Sequence, residues 1–105
     1  VEFRREAIVM IQTDKGQFKL KFKNGYEISI INGFGSYSEN KFKYELFMPS
    51  KNSFEIKSKD CEIAIIYKGD FVTKKFIDCG DDVLGYISSD ELADIIYRVK
   101  NYGSK

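Results

Sequence analysis

Asn24-Gly25 divides two stretches of alternating apolar and polar residues, and those stretches can pair in only one sensible register. A two-residue turn at this point would set Lys23, Lys21 and Lys19 opposite Tyr26, Ile28 and Ile30, forcing ammonium groups onto a core face. A three-residue loop, Lys23-Asn24-Gly25 with Gly25 left-handed, instead pairs Phe22 with Tyr26, Leu20 with Ile28 and Phe18 with Ile30. One face is then apolar, and Lys21 meets Glu27 on the other. The same loop type at Asp14-Lys15-Gly16 pairs Met10 with Leu20 and Ile8 with Phe22, so three strands share one buried face.

Alternation at period two continues over residues 7–76, and after Ser88 the spacing becomes helical. It predicts further strands at residues 42–48, 54–56, 61–67 and 71–73, with a break at Pro49-Ser50 and a turn at Lys68-Gly69-Asp70. Ile63-Ala64-Ile65-Ile66 is apolar on both faces, as in a central strand covered on both sides by a helix or a second copy of the chain. Ser88 with Glu91 forms a capping box, Asp90 and Glu91 suit the helix N-terminus, and Arg98 and Lys100 suit its C-terminus. Leu92, Ile95, Ile96, Val99 and Tyr102 make one apolar stripe, which Gly103 can end. The expected fold is α+β, an antiparallel β-meander sheet followed by one C-terminal amphipathic helix over about residues 88–102. The 105 residues make one domain, 1–105.

The sequence has no histidine. That removes Ser-His-Asp and Cys-His nucleophilic pairs, histidine general bases and histidine-ligated zinc. No pattern selects a carboxylate pair for acid–base work, and the chain reads as a non-enzyme without cofactor or metal. A formal charge of +1 lacks the field that drives strong non-specific nucleic-acid binding, so no specific nucleic-acid partner is expected. Cys61 and Cys79 belong to no CxxC pair and read as free thiols. No run approaches the roughly 18 apolar residues of a membrane span, and no signal-peptide pattern precedes the first periodic segment. The expectation is a soluble, intracellular protein that has lost a start residue or tag before Val1.

Asn32-Gly33-Phe34-Gly35-Ser36-Tyr37-Ser38 is the stretch most suited to a ligand, because small residues admit one to the backbone while Phe34 and Tyr37 can stack on a planar group. It lacks the GxGxxG and P-loop patterns and precedes a strand candidate where both need a helix, so it also reads as a plain connection. Lys19, Lys21, Lys23, Lys41 and Lys43 can form a basic patch or simply a solvated face. Arg4 and Arg5 offer bidentate phosphate contacts, close to a terminus that can fray. Asp78-Cys79-Gly80-Asp81-Asp82 gathers carboxylates without calcium-loop spacing and reads as a polar turn.

Three stretches together resemble a family of small, mostly uncharacterised proteins of bacteriophages and prophages. They are Lys23 to Ile30 running into Gly33-Phe34-Gly35-Ser36-Tyr37, then Cys61-Glu62-Ile63-Ala64-Ile65-Ile66, and Asp81-Asp82-Val83-Leu84-Gly85-Tyr86-Ile87-Ser88. The resemblance implies a viral setting in the host cytoplasm, where small phage proteins without catalytic residues often act on host immunity. One expectation is a homo-oligomeric sponge that sequesters a nucleotide-derived immune signal. Its ligand would be held by Arg4, Arg5, Phe34, Ser36, Tyr37 and Lys41, in a pocket completed by oligomerisation. Others are a protein-binding inhibitor of a host defence enzyme, in the manner of anti-CRISPR proteins, and an accessory phage protein with no small ligand.

Overall fold

The computed structural model describes residues 8–14, 16–43 and 56–103. Among them, six antiparallel strands run β1 (Ile8–Asp14), β2 (Gln17–Phe22), β3 (Tyr26–Ile31), β4 (Asp60–Tyr67), β5 (Asp70–Phe71) and β6 (Leu84–Ser88). A short helix α1 (Thr73–Phe76) precedes β6, and the C-terminal helix α2 (Ser89–Lys100) follows it. The sheet order is β1-β2-β3-β4, and β4 is central: β5 pairs with one end of its far edge and β6 with the other. This is the α+β arrangement that the change of periodicity predicts.

The β2–β3 hairpin has the expected register. Lys21 pairs with Glu27, Leu20 with Ile28 and Phe18 with Ile30. The loop closes by a 3.0 Å bond from the Gly25 N–H to the Phe22 carbonyl, with Gly25 at φ 91°. On the outer face Lys21 and Lys19 share Glu27, at 3.4 and 3.9 Å.

The β1–β2 hairpin departs from expectation by one residue. Asp14 pairs with Gln17 and Thr13 with Phe18, which leaves only residues 15 and 16 between the strands. Ile11, not Met10, therefore faces Leu20, and Met10 falls on the outer face opposite Lys21. A bulge between Ile8 and Met10 absorbs the difference and restores the expected pairing of Ile8 with Phe22.

The strands expected at 42–48 and 54–56 lie largely outside the described residues; Phe42 is in a turn, and Ile56 belongs to no strand. The strand expected through residue 73 ends at Phe71 because the Thr73 side chain takes over the pairing. Its Oγ1 accepts the Ile65 N–H at 2.9 Å and donates to the Asp82 carbonyl at 2.6 Å, fully buried, as α1 begins. Strand β6 breaks period two, since Gly85 and Tyr86 interrupt it and Tyr86 sits at φ 56°.

Phe22, Ile28, Ile63, Ile65 and Ile87 of the inner face pack with Ile95 and Val99 of α2. Each such side chain stabilises the fold by about 1.5–3 kcal/mol on burial. Ala64, on the opposite face of β4, is buried too, so the central strand is covered on both sides there. The Ser88–Glu91 capping box is present and starts α2. Its last carbonyls are capped from far away in sequence: Asn24 Nδ2, in the β2–β3 turn, donates to the carbonyls of Val99 at 2.8 Å and Tyr102 at 3.2 Å. Beside this junction Tyr26 stacks on Tyr67 with centroids 4.3 Å apart and meets Phe76 and Tyr102 edge-on. Lys75 Nζ donates to the Tyr26 hydroxyl at 2.8 Å, and the hydrogen bonds to Tyr26 and Tyr102 raise its pKa. Among the described residues no helix is long and apolar enough to cross a membrane.

Candidate functional site

The glycine- and tyrosine-bearing loop after β3, residues 32–43, is built from polar contacts. Ser36, Ser38 and Asn40 are buried in it. The Ser36 hydroxyl donates to the Gly33 carbonyl at 2.7 Å and pairs with Ser38 Oγ at 2.8 Å. Asn40 Nδ2 donates to the carbonyls of Asn32 at 2.7 Å and Lys57 at 2.9 Å, which staples the start of the loop to the segment that leads into β4.

Carboxylates fasten the same loop to the sheet. Glu62, on the outer face of β4, accepts the Tyr37 N–H at 2.9 Å, and Asp60 accepts the Glu39 N–H at 2.7 Å. Glu39 returns the contact by accepting the Lys59 N–H at 2.8 Å. Hydrogen bonds to ionised acceptors are roughly twice as strong as neutral ones, so three of them hold a short loop firmly. At the β6 side the Tyr86 N–H donates to the Tyr37 carbonyl at 2.8 Å, and Tyr37 Cβ lies directly over Gly85.

What the loop presents outward is aromatic and cationic. Tyr37 is 42% exposed, Phe34 39% and Phe42 85%, and Tyr86 beside them is 56% exposed. Lys41 Nζ stands 4.2 Å from the Tyr37 ring centroid and 5.5 Å from that of Phe42. A flat π-surface next to an ammonium can take a planar aromatic group and a neighbouring anion together.

Of the residues the sequence singles out, the structure brings Tyr37 and Lys41 together and sets Phe34 on the same loop. Ser36 is buried, and its hydroxyl is bonded inside the loop to the Gly33 carbonyl and Ser38 Oγ. Arg4 and Arg5 lie outside the described residues. The lysine patch divides, with Lys19 and Lys21 sharing Glu27 on the sheet and Lys41 on the loop. Sequence reasoning missed Tyr86, an exposed tyrosine whose left-handed backbone costs roughly 1–2 kcal/mol and whose N–H bonds to the Tyr37 carbonyl. The only signal for it is the glycine before it, which Tyr37 needs as a seat.

The described residues hold no cluster of three or more side chains able to bind a metal. Cys61 and Cys79 are both free thiols; burial, then Asp60 and Glu62, push the Cys61 pKa up to about 11. A hollow of about 520 Å³ lies elsewhere, on the inner face, lined by Phe18, Ile30, Ile56, Ile87, Leu92 and Ile96 among others. Its lining includes none of Phe34, Tyr37, Lys41 or Tyr86, and alongside its apolar walls it carries Gln17, Asn32, Ser58 and Lys59. The sequence matches no family model, no curated protein and no solved structure.

Proposed function

We propose that the chain is a non-enzymatic phage counter-defence protein that binds and sequesters a nucleotide-type immune signalling molecule on the Tyr37 loop. The observation that carries this reading is the pairing of an exposed Tyr37 ring with the Lys41 ammonium 4.2 Å above it, on a loop fixed by carboxylate-to-backbone bonds. A base would stack on Tyr37 or Phe34 while its phosphate meets Lys41. Preorganisation of both groups lowers the ordering cost of binding, which is what a stoichiometric sponge requires. The strain kept at Tyr86 fits a second recognition ring.

The test is calorimetry and thermal shift against cyclic and ADP-ribose-type nucleotides. A ligand present at 100 times its Kd stabilises the fold by about 2.7 kcal/mol, and Tyr37→Ala and Lys41→Ala each remove that gain. Absence of stabilisation by every nucleotide at millimolar concentration would defeat the proposal.

A second reading rests on a different observation: Phe34, Tyr37, Phe42 and Tyr86 are exposed aromatics, and none of them lines the hollow. Exposed aromatic clusters suit the core of a protein–protein interface, here with a host defence enzyme. Capture from host lysate separates the two, since a stoichiometric protein supports masking and a co-purifying small molecule supports sequestration.

A further inference from the structure

The cations of this chain are unevenly placed. At the β2–β3 turn end of the sheet, residues 23–25, 67–70, 73–76 and 97–102 meet, joined by the Asn24 bonds to the end of α2, the Tyr26–Tyr67 pairing and the Lys75–Tyr26 bond. These segments carry Lys23, Lys68, Lys74, Lys75, Arg98 and Lys100 against one carboxylate, Asp70. The whole chain is only +1, so its remainder is net negative and the positive charge is concentrated here. Among the described residues none of these six cations forms an ion pair, whereas Lys19 and Lys21 share Glu27. Lys23, Lys68, Lys74, Lys75 and Arg98 are exposed. Rings accompany them: the Lys68 ammonium stands 5.3 Å from the Tyr67 centroid, that of Lys75 4.4 Å from Tyr102, and that of Lys100 5.7 Å from Tyr97. Tyr97 is 66% exposed and Tyr102 41%.

We propose that this end of the protein binds single-stranded nucleic acid without reading its sequence, the lysines and Arg98 meeting phosphates while Tyr97 and Tyr102 take unpaired bases. Six cations on four separate segments exceed what one phosphate group can use, so the charge suits a polymer with regularly repeated anions. The exposed rings decide which polymer. Bases of a single strand present π-faces to tyrosine, whereas those of a duplex are already stacked on each other, and a run of carboxylates gives the rings no planar partner. The floor of the surface is fixed in advance. Tyr26 lies against Tyr67, Phe76 and Tyr102 with centroids 4.3, 5.4 and 5.2 Å away, and its hydroxyl holds Lys75 at 2.8 Å, so Lys75 and Tyr102 need little ordering on binding.

Fluorescence anisotropy of a labelled oligothymidylate of about 20 nucleotides, in about 50 mM salt, tests the surface; the wild-type chain is expected to bind with a Kd of about 1–100 µM. Lys68→Gln combined with Lys74→Gln changes two exposed side chains whose ammonium groups hold no hydrogen bond among the described residues. It weakens binding at least about tenfold and lowers the slope of log K against log salt by about 1.4, the share of two phosphate contacts on a single strand. Tyr97→Ala weakens binding at least about fivefold, as loss of one stacked base does. Lys19→Gln combined with Lys21→Gln removes the same charge from the sheet and leaves the affinity within about twofold. No binding at about 100 µM protein, a sheet variant that loses as much as the Lys68 and Lys74 variant, an unchanged affinity in Tyr97→Ala, or equal affinity for a duplex of the same length or for polyglutamate overturns the proposal. The Tyr37 loop is bonded to Glu62 and Asp60, at the other end of β4 from Tyr67, so the outcome is separate from that of nucleotide binding.

Discussion

Replacing Gly85 with alanine is the sharpest probe of how the Tyr37 loop is held. A Cβ at residue 85 would stand 2.5 Å from Tyr37 Cβ, 3.2 Å from its carbonyl oxygen and 3.4 Å from its Cγ. The first two belong to atoms that no rotamer change of Tyr37 can move away. Gly85 does not have a positive φ, so the whole effect comes from this contact. Overpacking of this kind costs about 1–3 kcal/mol, and displacing Tyr37 also weakens the Tyr86-to-Tyr37 backbone bond, worth about 0.5–1.5 kcal/mol. Gly85→Ala is therefore expected to lose about 2–4 kcal/mol, roughly 10–20 °C in Tm for a domain of this size. Gly80→Ala is the control, because nothing lies within 4 Å of its added Cβ. Urea denaturation followed by far-UV circular dichroism gives the stability. Near-UV circular dichroism reports the tyrosines directly, since the chain has no tryptophan. A Gly85→Ala protein within 0.5 kcal/mol of Gly80→Ala, with an unchanged near-UV spectrum, would refute the close-packing argument.

Other perturbations have equally defined outcomes. Cys61 holds its proton up to about pH 11 in the folded chain, against an ordinary value of 9.0, so the unfolded chain releases its proton first and stability falls as pH rises from 9 to 11. The loss is about 1.4 kcal/mol by pH 10, and Cys61→Ala lacks that share; parallel stability–pH curves for the two proteins between pH 8.5 and 10 would contradict it. Ser88→Ala removes the capping box of α2 and lowers the free energy of unfolding by about 1 kcal/mol in urea titrations. Asn24→Ala uncaps the far end of the same helix and frees the Tyr26 N–H, costing about 1–3 kcal/mol, with faster hydrogen exchange in the last turn of α2.

The parts of the fold legible in the sequence are those where one pattern dominates. Lys19, Lys21 and Lys23 cannot occupy a core face, and that alone fixed the β2–β3 register. Ser88 and Glu91 carry a local signal for the start of α2, and it forms as read. In β1 a one-residue bulge repairs a one-residue change in turn length, so the pairing of Ile8 with Phe22 held while Met10 and Ile11 exchanged faces. Alternation alone does not reveal a compensated shift of that sort. Strand β6 escaped because its backbone geometry at Tyr86 is set by Tyr37, a contact from a distant part of the chain. In the site, Tyr37 and Lys41 are visible as residue types. The inward commitment of Ser36 is not, because a serine beside glycines looks the same whether it faces a ligand or its own backbone.

The inward and outward residues of the 32–43 loop have separate tasks. The side chains of Ser36, Ser38 and Asn40 hold the backbone from within, while the Tyr37 ring, the Lys41 ammonium and Phe42 extend from a main chain that is itself bonded at Tyr37 and Lys41. Substitutions at the outward positions can accumulate without refolding the loop, much as antibody tips diversify on a constant frame. Under the proposed function, recognition can then be altered one side chain at a time, on a scaffold that need not change with it.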